Sequence, residues 1–276
     1  MPELPEVETV MRGLAPVMEG HVISRLECRR RDLRYPLPER FAAQVAGRRI
    51  TALRRRAKYL VAEIDGCDVL LMHLGMSGRF TIAGDTIGTY VHSVGGDPRH
   101  DHVVFHIEGG TTVTYNDPRR FGFMLLVPTH DFDTHPLMRG LGVEPLGNGL
   151  HADYLAERAQ GRRADIKSFL LDQRNVAGLG NIYVSESLHR AGISPLRAAS
   201  CLSTTVGKPT DRCRRLVPAI RDVLQAAIDA GGSTLRDYKQ ADGALGYFQH
   251  QFLVYDRAGE PCLREGCKGI VRRTIQ

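Results

Sequence analysis

The apolar residues of this 276-residue chain change period once, and that change limits the folds open to it. From about residue 22 to 127 they fall in short runs divided by turn residues, as β-strands do; beyond about 150 they recur at helical spacing. Such a chain predicts an α+β protein, with a β-sandwich or barrel-like domain first and a helical domain after it. "YLVAEI-DG-CDVLLMHL" reads as a hairpin turning at Asp65-Gly66, and "HVVFHI-EGG-TTVTYN" as a second. "FGFMLLV" at 121–127 reads as a further strand, and Gly-rich 82–99 as a long loop.

In front of the strands stands "MPELPEVETVMRGL". After Pro5, the residues Val7, Val10, Met11 and Leu14 mark one face of a helix; Pro5 suits its first position, and Glu6 and Glu8 suit the positive end of its dipole. A helix packed on the core would tether the chain's start, holding Pro2 and Glu3 at its mouth. Loss of Met1 would leave Pro2 as a terminal secondary amine beside carboxylates. That group can be a nucleophile, or Pro2 can simply favour Met removal; the residues alone leave both open.

Residues 131–150, rich in Pro, Gly and His, read as a linker after a first domain of 1–130. In 151–240, Ile166, Phe169 and Leu170 predict a short helix, and 176–192 a helix reached through a Gly-containing turn. Leu216, Ile220, Val223, Leu224 and Ala227 predict a longer one closed by Gly231-Gly232. Short helices around a Gly turn suggest a helix-turn-helix-like hairpin. The tail, 241–276, holds a strand-like run, then Cys262 and Cys267 at C-x4-C spacing, then basic residues. Two cysteines on a turn are half of a zinc hairpin, which needs four ligands.

A net charge of +6 and a pI of about 9.1 favour polyanionic partners. The excess is concentrated in "RLECRRRDLR" (25–34) and "RRITALRRRAKY" (48–59), and two such runs in one domain point to a phosphate-binding groove. No apolar run approaches a membrane span, and no basic segment followed by an apolar run opens the chain. A cytoplasmic protein without membrane association is expected. The scattered Cys28, Cys67, Cys201 and Cys213 are expected to be buried reduced thiols.

Taken together, these stretches resemble the formamidopyrimidine-DNA glycosylase (Fpg) family. The matching motifs are "PELPEVET" at 2–9, "RRRAKYL" at 54–60, "HLGMSG" at 73–78, "HDH" at 100–102 and "DPRRFG" at 117–122. They continue with "IKSFLLDQ…GLGNIY" at 166–183, "STLRDY…DG…GYFQ" at 233–249 and "GEPC" at 259–262, in family order along nearly the whole chain. The resemblance implies an N-terminal β-sandwich with a leading helix over 1–130 and a helix-two-turns-helix domain over 151–240. A zinc-finger hairpin over 241–276 would follow, incomplete in this sequence, with duplex DNA in a cleft between domains. It also implies a monomer, acting at the bacterial nucleoid. The implied activity is excision of oxidised purines, chiefly 8-oxoguanine and formamidopyrimidines, then β,δ-elimination at the abasic site.

The resemblance assigns roles residue by residue. Pro2 resembles the Schiff-base nucleophile, Glu3 the acid/base carboxylate, and Lys58 the lysine that assists base loss and contacts phosphate. Glu6 would orient the site. Met76, Arg119 and Phe121 resemble the side chains that fill the hole left by a flipped-out base. His100, Arg162, Arg163, Lys167 and Asn181 resemble phosphate contacts, which position DNA without reading its sequence. Cys262 and Cys267 resemble the first ligand pair of one structural zinc ion. The nearest rival is an endonuclease VIII-like glycosylase for oxidised pyrimidines, but that family typically begins PEGPE, whereas Leu4 and "DPRRFG" match Fpg. A non-catalytic DNA-binding protein on the same scaffold would have no need of Pro2, Glu3 and Lys58.

Overall fold

A computed structural model describes residues 2–66, 68–83, 97–233 and 248–274. Expectations for Cys67, for most of the 82–99 loop and for the 234–247 part of the last motifs fall outside those residues. The chain divides into two compact units, one of Met1–Arg139 with Ala230–Gly246, the other of Gly140–Asp229 with Tyr247–Gln276.

The first unit opens with helix α1 (Leu4–Met18), whose Leu4, Val7, Val10, Leu14 and Met18 are buried, as the i, i+3, i+4 spacing requires. Burying a side chain such as Leu14 stabilises by roughly 2 kcal/mol, so the core holds the start of the chain firmly. After it come β1 (Ile23–Cys28), a one-turn helix α2 (Phe41–Val45), β2 (Ile50–Arg56), β3 (Tyr59–Ile64) and β4 (Asp68–His73). β5 (Arg79–Ala83), β6 (Asp101–Ile107), β7 (Thr112–Asn116) and β8 (Phe123–Pro128) complete the unit. The strands form two antiparallel four-stranded sheets, ordered β1-β6-β7-β5 and β2-β3-β4-β8. Alternate residues Leu60, Ala62 and Ile64 of β3, Leu70 and Met72 of β4, and Val103, Phe105 and Ile107 of β6 join α1 in one core. Both sequence-read hairpins are present, Tyr59↔His73 and Val103↔Tyr115 lying within their registers.

The second unit is helical: α3 (Ala152–Ala159), α4 (Ile166–Leu171), α5 (Asn181–Ala191) and α6 (Asp211–Asp229). α5 ends at Gly192 in the left-handed region (φ 70), which a residue with a Cβ enters only at a cost. It starts at Asn181 and not at 176, because Gln173 holds the preceding turn. Its amide donates to the carbonyls of Leu171 and Leu179 and its Oε1 accepts the Gly178 N–H. Among the described residues no helix is long and apolar enough to cross a membrane.

Two expectations fail. The strand-like run "FLVY" at 252–255 is not a strand: the buried Glu186 carboxylate of α5 takes the backbone N–H groups of Leu253, Val254 and Tyr255 at 2.9, 3.0 and 2.7 Å. Those donors are thereby withdrawn from any ladder. Cys28 is exposed instead of buried, at the end of sheet-edge strand β1, while Cys201 is partly buried and Cys213 buried.

Candidate active site

The site begins at the mouth of α1. Pro2 is buried, and Glu3 and Glu6 are 3% and 2% exposed. Glu6 is a hub: its Oε2 accepts the Glu3 N–H at 2.8 Å, and its Oε1 accepts both the N–H and the hydroxyl of Ser233 at 2.9 Å. One carboxylate thus fixes the backbone beside Pro2 and the last described residue before 234. Lys58 follows Ala57, a left-handed residue (φ 52) at the β2–β3 turn. Arg55 stiffens that turn, donating to the Ala57 carbonyl at 2.9 Å and pairing with Glu8 of α1 at 2.9 Å. Lys58 is 8% exposed; burial lowers its pKa, and the charges of Glu3 and Glu6 oppose the drop. Loss of Met1 would make the Pro2 nitrogen a secondary amine, and such an amine beside a buried carboxylate and a desolvated lysine would suit nucleophilic and proton-transfer chemistry.

His73, at the end of β4, belongs to this neighbourhood, although no role was read for it from sequence. Its ring stacks on Phe123 (5.3 Å, 10°) and its Nδ1 accepts the Gly75 N–H at 3.0 Å. Burial first, then Lys58 and Arg34, hold its pKa down at about 4, so the ring is neutral at physiological pH.

Two loops of the same unit carry the three residues read as void-filling. Met76 is half-buried on the loop between β4 and β5; Arg119 and Phe121 are exposed on the loop between β7 and β8. Phe121 is 46% exposed, unusual for a large aromatic, with the Arg119 guanidinium 5.0 Å over its ring. Between them Arg120 is left-handed (φ 57). His100 is half-buried at a short turn in front of β6.

The other expected DNA contacts lie in the second unit. Arg162 and Arg163 are exposed on the segment before α4, Lys167 is half-buried in its first turn, and Asn181 is exposed as the first residue of α5. Gly180, not Asn181, is the N-cap, so the Asn181 side chain is not engaged as a cap. Cys262 and Cys267 share a tight turn: Cys262 N–H donates to the Gly269 carbonyl at 2.8 Å, and Cys267 Sγ accepts the Gly269 N–H at 3.4 Å. That N–H and the neighbouring Cys262 push the Cys267 thiol down. A His189 ring nitrogen lies 3.5 Å from Cys262 Sγ. Among the described residues no three potential ligands converge, so these contribute a thiol pair that fits two positions of a four-ligand site.

The basic runs are not wholly a phosphate surface. Arg25 and Arg29 pair with Glu27, Arg30 with Asp32, Arg54 with Glu63 and Arg55 with Glu8. Spacing cannot separate such internal pairs from side chains facing a ligand. For Glu186, Ser233, His73 and Asp117 the sequence gives no site-shaping role, because each also has a contact far along the chain, to Leu253, Glu6, Phe123 and Ser77 respectively.

Comparison with known proteins narrows the chemistry. The family model of the formamidopyrimidine-DNA glycosylase N-terminal domain matches residues 1–124, and that of the H2TH domain matches 141–239. A formamidopyrimidine-DNA glycosylase of Azorhizobium caulinodans is 60% identical over 280 residues, covering all of this chain and 96% of that protein. The crystal structure of MutM (Fpg) from Thermus thermophilus is similar with a TM-score of 0.81 at 37% identity, covering 100% of this chain and 94% of that one. Lactococcus lactis Fpg bound to DNA containing N7-benzyl-Fapy-dG is similar with a TM-score of 0.82 at 32% identity, covering 97% and 93%.

Proposed function

This chain belongs to the formamidopyrimidine-DNA glycosylase family and is a DNA glycosylase acting on damaged DNA, and from that premise we propose that Pro2 carries its chemistry. With Met1 removed, the Pro2 nitrogen attacks C1′ of the damaged nucleoside. The glycosidic bond breaks, the base leaves with a proton, and the sugar ring opens to an iminium ion. Glu3 supplies a proton to the departing base or to the opening ring oxygen, and Lys58 assists base loss and holds the adjacent phosphate. The iminium acidifies the C2′ proton; its removal expels the 3′ phosphate, and a second elimination expels the 5′ phosphate. The observation that supports this most is the shared burial of Pro2, Glu3 and Lys58, with the lysine's charge opposed by desolvation and favoured by Glu3.

The same reading makes Met76, Arg119 and Phe121 the void fillers, with Arg119 donating to the orphaned cytosine. It makes His100, Arg162, Arg163, Lys167 and Asn181 phosphate contacts, and the protein a monomer working at the nucleoid. The family's zinc would sit on Cys262 and Cys267 with two ligands outside the described residues; bound there, it would order the hairpin and take no part in bond breaking.

Borohydride reduction of the iminium links protein to DNA and tests the proposal. Processed protein should trap on duplexes carrying 8-oxoguanine or a formamidopyrimidine, more efficiently than on an oxidised-pyrimidine duplex. Pro2→Gly, or protein retaining Met1, should trap far less. Equal trapping by protein with Met1 still attached would move the nucleophile elsewhere, and a preference for the pyrimidine duplex would favour the endonuclease VIII-like activity.

A further inference from the structure

Asp117 is fully buried, and it stands where the two loops carrying Met76, Arg119 and Phe121 meet. Its Oδ1 accepts the Ser77 hydroxyl at 2.6 Å; its Oδ2 accepts the Gly122 N–H at 2.9 Å and the Tyr115 hydroxyl at 3.2 Å. Ser77 passes the connection on, its Oγ accepting the Arg119 N–H at 3.2 Å. The backbone of Asp117 is engaged too: its carbonyl accepts from His102 Nε2 at 2.9 Å and from the Arg120 N–H at 3.2 Å, and its N–H donates to the His100 carbonyl at 3.0 Å. So one side chain joins the Met76 loop to the Arg119–Phe121 loop, and its backbone joins both to the strand that begins after His100.

Sterics around this hub leave no slack. A Cβ on Gly75 would come within 2.4 Å of the Phe121–Gly122 backbone, and Gly75 is itself left-handed (φ 64). A Cβ on Gly78 would meet the Leu74 carbonyl and the Tyr115 hydroxyl at 2.3 Å, and one on Gly122 would meet that hydroxyl at 1.8 Å. Three glycines therefore let two loops close on one tyrosine and one carboxylate. Tyr115 stays a donor there, since burial and the neighbouring carboxylate raise its pKa well above the ordinary value. A side chain that must wedge into a duplex loses less entropy, and pushes harder, when its loop cannot yield.

We propose that Asp117 is a positioning residue for base extrusion: through Ser77, Tyr115 and Gly122 it clips the two loops into one rigid wedge, so that Met76, Arg119 and Phe121 enter the duplex as a unit. The proposal rests on the void-filling reading of those three residues. Asp117 touches no reacting atom; it acts through Arg119 and Phe121.

The test uses Asp117→Asn, which keeps the shape but puts an amide donor among donors, and Ser77→Ala, which removes only the hydroxyl bridge. Arg119→Ala and the Ser77→Ala/Arg119→Ala double variant complete the set. Each is assayed for excision of 8-oxoguanine opposite cytosine and for cleavage of a preformed abasic site, with folding checked by circular dichroism. Both clip variants should lose about ten- to a hundredfold on the intact lesion, as ångström-scale misplacement does, and far less on the abasic duplex. The double variant should lose clearly less than the two single losses combined, because part of what the bridge does it does through Arg119. If Arg119→Ala loses both activities equally, the void-filling reading falls and the clip with it. If Arg119→Ala is selective while Ser77→Ala is fully active, or its loss adds in full to that of Arg119→Ala, the clip alone is overturned. Should Asp117→Asn not fold, Ser77→Ala decides the matter by itself.

Discussion

His73 stacks on Phe123 and receives the Gly75 N–H on Nδ1, so its ring serves the fold only while uncharged. Its folded pKa of about 4 lies below the unfolded value near 6.5, so the unfolded chain takes up a proton first as the pH falls. Stability is whole above about pH 6.5, declines between 6.5 and 4, and gains no further slope from this group below 4; the full contribution is about 3 kcal/mol. His73→Asn offers a carbonyl oxygen near the Nδ1 position and cannot titrate. Urea unfolding at several pH values should show a slope for the variant shallower by about one proton across that window; identical profiles would mean the ring is already protonated in the fold or plays no part. No local sequence pattern marks such a ring, since the Phe123 it stacks on lies on another strand. Pro2, Glu3 and Lys58 stand out in the sequence because each occupies a fixed place in a short motif, and the fold buries all three. Glu6 was legible only as a residue that orients, since its partner Ser233 lies far along the chain. Ser77 and Asp117 stand inside the "HLGMSG" and "DPRRFG" motifs, yet the hydrogen bond between them spans 40 positions and no local pattern announces it.

Elements read from apolar period alone were placed well: α1, the two hairpins and α6 each bury a stripe that their sequence already displays. The failure at 252–255 is instructive for the opposite reason. "FLVY" has strand chemistry, but a strand needs a ladder partner, and Glu186 captures its donors from α5. A buried carboxylate taking three backbone N–H groups makes charge-assisted bonds, and losing it would leave half-buried donors unmet. Glu186→Gln should therefore destabilise the second unit by about 1–3 kcal/mol and speed hydrogen exchange at Leu253, Val254 and Tyr255 by about five- to about 150-fold, the factors that such a loss corresponds to. Unchanged exchange at those three amides would show that other contacts hold the segment. Because the same segment leads into the turn of Cys262 and Cys267, Glu186→Gln should also weaken retention of zinc by protein that has bound it.

For the molecule as a whole, the charge of +6 understates how selectively the basic residues are used. Arg25, Arg29, Arg30, Arg54 and Arg55 answer acidic neighbours in the same unit, so the two basic runs spend much of their charge on the fold. Arg162, Arg163 and Lys167 belong to no such run, and among the described residues none of them forms a salt bridge. Binding to a duplex should follow the number of phosphates met, not the number of arginines. If about five are neutralised, log K falls against log salt with a slope near −4 to −5. Lys167→Ala should make that slope shallower by roughly one and weaken lesion-containing and undamaged duplexes alike, as a phosphate contact does. Arg54→Ala, which removes a partner of Glu63 on the β2–β3 pair, should leave the slope nearly unchanged. Titrations of one duplex by fluorescence anisotropy between low and physiological salt measure all three. A slope near zero for the unaltered protein would remove phosphate contact as the source of affinity. Equal changes for Lys167→Ala and Arg54→Ala would mean that bulk charge, not placement, sets the binding.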